Sequence, residues 1–175
     1  AKAMERLEVK TVDAQGIPMT IYRNDSLQQL QIYRQNPMTL LWANADIGYN
    51  SVNPGRSVDI AYSPAQNRFF AGYSADLTTF TVQALATKSM SATTGFIPPD
   101  QPQLLGNGVG AAEYNAVACG SGPLDVYQLY YQSGNGTLNG VKMDGSATTY
   151  SAPILLDGRT NVGRYVSATV SPVDN

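Results

Sequence analysis

Two short runs carry the residue types that could recognise a ligand. Leu30-Gln31-Ile32-Tyr33-Arg34-Gln35 and Tyr127-Gln128-Leu129-Tyr130-Tyr131-Gln132 are close repeats of one another. Read as strands, each turns every second side chain to one face. One face then shows Gln31, Tyr33 and Gln35, the other Gln128, Tyr130 and Gln132. Neutral amides interleaved with tyrosine suit an uncharged, polyhydroxylated ligand, since the amide both donates and accepts hydrogen bonds and the ring offers a flat apolar face. The same faces suit a protein partner, to which tyrosine brings area at little entropic cost. They also read as cross-strand ladders that only stabilise a sheet. Gln31, Tyr33, Gln128 and Tyr130 are therefore the candidate ligand residues.

Acid–base chemistry has less to work with. Histidine is absent, which removes the commonest proton shuttle and metal ligand. Glu113 stands between Ala and Tyr in mid-strand, where burial would raise its pKa, although an outward or Arg-paired glutamate fits the same pattern. Glycoside hydrolysis would need a second carboxylate at roughly 5–9 Å, and Asp59 and Asp125 are the available partners. The lone Cys119 lies in the apolar run Ala116-Val117-Ala118 and reads as a buried structural thiol. No oxygen-ligand loop for calcium and no phosphate-cradling glycine loop before a helix occurs, so no cofactor is expected.

The elements that must position these residues are strands. The 175-residue chain is 43% apolar but only 14% charged, with plentiful Gly, Ser, Thr, Asn and Tyr, and that mixture suits strands joined by turns. Expected strands include Leu7–Val12, Ile17–Tyr22, Leu30–Gln35, Met38–Ala43, Ser57–Tyr62, Arg68–Ser74, Thr79–Ala86, Gly110–Cys119, Tyr150–Leu156 and Tyr165–Pro172. Asn53-Pro54-Gly55-Arg56 reads as a turn. Residues 87–110 read as an irregular loop with one short strand near Gly95–Ile97. Small-residue strand, aromatic strand and return strand recur about 40–55 residues apart, the range of propeller blades. Three units are visible within one domain, 1–175, plus the first strand of a fourth. The last segment, Tyr165 onward, resembles Val58–Pro64 and ends on the same Ser-Pro. The fold class is all-β, with antiparallel hairpin repeats forming propeller-like blades or a two-layer sandwich.

The formal charge of −2, with no basic cluster, argues against nucleic acid, and no run reaches membrane-spanning length. The location is either cytosolic or extracellular after removal of a signal. Asn24-Asp25-Ser26 and Asn135-Gly136-Thr137 are glycosylation sequons.

The two aromatic strands, with Thr39-Leu40 and Thr137-Leu138 following them, resemble the fungal fucose-specific lectins. These are six-bladed propellers whose blades carry a strand of the form Ile-Arg-Val-Tyr-Tyr-Gln and a return strand beginning Thr-Ile. In that family an Arg of the first strand and a Glu of the second clamp the sugar. The resemblance puts Gln31 and Gln128 at the Arg position, and Trp42 and Gly140 at the Glu position, which adds Trp42 to the candidates. It implies a non-enzymatic, lectin-like binder of neutral glycans, and three blades, too few to close a ring, imply either a homo-oligomer or a part of something longer. The alternative is a coat or scaffold subunit whose partner is protein.

Overall fold

The structure is a computed structural model that describes residues 7–12, 14, 16–24, 29–35, 38–46, 52–77, 83–91, 103–104, 112–143 and 151–171. Among these, every regular element is a strand. In chain order they are β1 (Leu7–Val12), β2 (Pro18–Asn24), β3 (Gln29–Gln35), β4 (Trp42–Asp46), β5 (Val52–Ser63) and β6 (Arg68–Leu77). Then follow β7 (Gln83–Ser91), β8 (Gln103–Leu104), β9 (Ala112–Cys119), β10 (Val126–Gln132), β11 (Thr137–Met143) and β12 (Ile154–Asp157). They form three four-stranded antiparallel sheets, in the orders β1-β2-β3-β4, β5-β6-β7-β8 and β9-β10-β11-β12. Each is a meander of consecutive strands, the pattern of a propeller blade, so the all-β reading with hairpin repeats is what the chain adopts.

The repeat is phased differently from its sequence signature. β10 is the second strand of its sheet, between β9 and β11, whereas β3 is the third strand of its own, between β2 and β4. The two similar runs are thus not equivalent positions of one unit. Their sequels diverge as well: Thr137-Leu138 opens β11, but Met38–Leu41 is a turn and β4 begins only at Trp42. Leu40 there has φ +57, which a continuing strand would not allow.

Other boundaries moved for local reasons. Asn53–Arg56 is not a turn: it lies inside β5, where the register slips between Pro54 and Val58. Extra residues on one strand make a bulge, which absorbs the proline without ending the strand. β7 runs to Ser91, into the stretch expected to be irregular, and β12 starts at Ile154. The expected strand at Gly95–Ile97 and the start of the one at Thr79–Val82 lie outside the described residues. The segment from Tyr165 to Ser171 joins no sheet among the described residues.

The sheets meet along their first strands. β5 packs on β1 and β2 of the first sheet and on β9 of the third. Phe70, Val117 and Val126 form a core cluster between the second and third sheets, with Ala61 and Cys119 against it. Gly72 is what lets the layers close. A Cβ there would stand 2.5 Å from both the Gln128 Nε2 and a methyl of Val117. Gly72→Ala should therefore lower stability by about 1–3 kcal/mol through overpacking, read as a lower urea midpoint with an unchanged slope; an unaltered midpoint would show that the contact relaxes freely.

Candidate functional site

The candidates fall into two groups on separate sheets. In the first sheet Tyr22 pairs with Gln31 and Thr20 with Tyr33, which sets Tyr22, Gln31 and Tyr33 on one face. The Tyr22 and Tyr33 rings stack with centroids 5.5 Å apart and planes 21° apart. The Tyr22 hydroxyl donates to the Gln31 Oε1 and lies 3.3 Å from the Tyr33 hydroxyl. Tyr22 and Gln31 are buried and Tyr33 half-buried, so Tyr33 is the member nearest solvent. At the end of the strand, the half-buried Gln35 donates its amide to the Leu40 carbonyl at 3.0 Å. Trp42 faces Gln35 in the β3–β4 ladder; its side chain lies outside the described residues.

The second group is placed otherwise than its sequence suggests. Gln128 and Tyr130 have 0% and 1% of their surface exposed, so neither reaches a ligand in solution. Period-two alternation was correct, but the face it defines turns against the second sheet rather than outward. Gln128 Nε2 donates to Asn115 Oδ1 at 3.4 Å. Asn115 in turn donates through Nδ2 to the Ser57 carbonyl at 2.9 Å, and its backbone N–H donates to Ser57 Oγ at 2.7 Å. Beside them the Asp59 carboxylate accepts the Val117 N–H at 2.7 Å and the Ile60 N–H at 2.8 Å. This is a polar seam between sheets. Ser57 and Asn115 were missed as functional positions because alternating polar residues in a strand read as solvent-facing.

The acids are engaged too. Asp59 is 1% exposed and bound to backbone as described. Asp125 sits in the β9–β10 turn, accepts the Gly122 N–H at 3.1 Å and pairs with Lys142 at 2.9 Å. The hydrogen bond from Lys142 holds its carboxyl below the usual carboxylate range. Burial pushes the Cys119 thiol up to about 12, with Asp59's charge adding to it, so at neutral pH it is a protonated, weakly nucleophilic group. The Glu113 carboxylate lies outside the described residues. Asn135 of the second sequon is exposed at the β10–β11 turn, where its Oδ1 accepts the Thr137 hydroxyl at 2.6 Å.

No protein-family model matches the sequence, and no curated protein matches it. Among solved structures the chain is similar to an exo-β-1,3-galactanase from Phanerochaete chrysosporium, crystallised with β-1,3-galactotriose. The TM-score is 0.57 at 10% identity, over 87% of this chain and 38% of that one. The chain thus matches well under half of the enzyme's length, and at this identity the likeness speaks for the fold alone.

Burial, together with the hydrogen bond and charge of Tyr33, pushes the Tyr22 hydroxyl from 10.0 up to about 12. A folded-state value above the unfolded one means that the neutral phenol's contribution to stability is complete below pH 10.0 and is lost as pH rises toward about 12. Burial pushes the Tyr130 hydroxyl up as well, so titration followed by tyrosinate absorbance should show a late phase that loses part of its amplitude in Tyr22→Phe; an unchanged profile in that variant would place the late phase elsewhere.

Proposed function

We propose that the protein is a non-enzymatic, lectin-type binder of neutral sugars that uses the tyrosine–glutamine face of its first sheet. The observation that carries this reading is the Tyr22–Gln31–Tyr33 cluster. Tyr22 stays neutral and buried and holds both the Gln31 amide and the Tyr33 hydroxyl, so the half-buried Tyr33 ring is pre-oriented, with buried Gln31 positioning it through Tyr22. A sugar ring stacks its C–H face on such a tyrosine while the polar edges meet hydroxyls. The resemblance to fucose-specific lectins supports the same ligand class, with Gln31 standing where that family has Arg. The fold likeness to an enzyme solved with a β-1,3-galactotriose supports it as well. Hydrolysis is less well supported, because Asp59 and Asp125 are committed to backbone and lysine partners.

A second reading, an assembly protein forming homo-oligomers, is favoured by β12. This edge strand exposes Ile154, Leu155 and Leu156 to 57%, 60% and 50%, and an apolar edge invites pairing with another chain.

An array of neutral galacto- and fuco-oligosaccharides, probed with wild type, Tyr33→Ala and Gln31→Ala, separates the two. Binding by wild type that weakens about tenfold or more in both variants, about 1.4 kcal/mol, is the expected result. A wild type that binds no neutral sugar and sediments as a large particle overturns the lectin reading in favour of assembly.

A further inference from the structure

The twelve residues Asn161-Val162-Gly163-Arg164-Tyr165-Val166-Ser167-Ala168-Thr169-Val170-Ser171-Pro172 repeat Asn53–Pro64, the bulged start and body of β5, at six positions without a gap. In the first copy the fifth position is Ser57, which latches onto Asn115 of β9. In the second copy that position is Tyr165, and it too reaches β9, at the neighbouring Tyr114, with ring centroids 4.8 Å apart. The same slot serves once as a hydrogen-bonding latch and once as an aromatic contact.

Both tyrosines of that contact have left-handed backbones, φ +46 at Tyr114 and φ +59 at Tyr165. Bulky side chains rarely adopt this region, and such strain persists only where the surroundings over-determine it. Here they do. The Val162 N–H donates to the Gly136 carbonyl at 3.3 Å. Gly136 and Gly163, at φ +73 and +90, leave room for the Asn161 backbone and the Leu138 side chain respectively. The pinned segment then presents Tyr165 with 72% of its surface exposed. Behind it Tyr114 tilts against the buried Tyr131 at 6.2 Å, and the Arg164 guanidinium lies 5.5 Å from the Tyr131 ring centre. Aromatic groups thus run from the interior to the surface and end on one open ring.

We propose that Tyr165, backed by Tyr114 and preceded in the chain by the exposed Arg164, is a second sugar-binding platform for a neutral hexose. The Tyr165 ring takes the C–H face of the sugar, and the neighbouring Arg164 meets its hydroxyls. The inference rests on the carbohydrate reading above, and it names a site that lies against β9 of the third sheet and is separate from Tyr33.

Titration calorimetry with the best-bound oligosaccharide of the array, using wild type, Tyr165→Phe, Tyr165→Ala, Tyr165→Gly and Tyr33→Ala, tests it. Tyr165→Phe should keep the wild-type stoichiometry, whereas Tyr165→Ala and Tyr165→Gly should halve it and Tyr33→Ala should remove the other half. Glycine adopts positive φ without steric cost, so Tyr165→Gly should melt no lower than Tyr165→Ala, and a cooperative melt in either variant separates lost binding from lost fold. Wild-type stoichiometry in Tyr165→Ala and Tyr165→Gly overturns the platform and leaves the carbohydrate reading standing. A change in sedimentation mass with unchanged sugar binding also overturns it, assigning the ring to protein contact. A wild type that binds no neutral sugar overturns both.

Discussion

The rest of the structure depends on how the first strands of two neighbouring sheets are joined. Ser57 and Asp59 accept backbone N–H groups of Asn115 and Val117, donors that a strand at the end of its own sheet cannot pair within it. A buried N–H without an acceptor costs about 1–3 kcal/mol, so the side chains of β5 complete the hydrogen bonding of β9. They do so with a carboxylate, and charge-assisted bonds of this kind are about twice as strong as neutral ones. Gly72, lying opposite Asp59 in the β5–β6 ladder, then decides how near the layers can come. Apolar packing of Phe70, Val117 and Val126 supplies the bulk of the contact, and the polar seam fixes its register.

The strand content was legible because the period-two signal is local: Leu7–Val12, the cores of β5, β6 and β9, and the whole of β10 follow it. Turn chemistry was less legible where one feature admits two geometries. Asn-Pro-Gly-Arg is a good turn sequence and also a good bulge, and only pairing with β6 chooses between them. The Met38–Leu41 stretch looks like a strand by residue type, yet 90%, 65% and 70% exposure of Met38, Leu40 and Leu41 shows that tertiary packing never claimed it. Local sequence cannot carry that information.

The candidate site divides along the same line. That Gln31 and Tyr33 share a face follows from alternation, and their partner Tyr22 comes from the adjacent strand through register. Gln128 and Tyr130 obey the same alternation, but which face is inward depends on a strand 58 residues away in the pairing of Ser57 with Asn115. A buried glutamine bonded to a buried asparagine leaves no mark on the chain that separates it from a solvent-facing one. Tyr165 was missed for the opposite reason: as a strand residue it would be ordinary, and its positive φ is visible only once the segment is seen to leave the sheets.

Meander topology also sets an order of events in folding. Every ladder among the described residues joins strands that are neighbours along the chain, so contacts within a sheet are local, and such contacts form early. The β5–β9 seam closes across 58 residues and comes later. Until it does, Phe70, Val117 and Val126 face water on separate sheets. Transiently exposed apolar surface of this kind is prone to aggregate, and the seam that joins Asp59 to the Val117 N–H is what removes it from water.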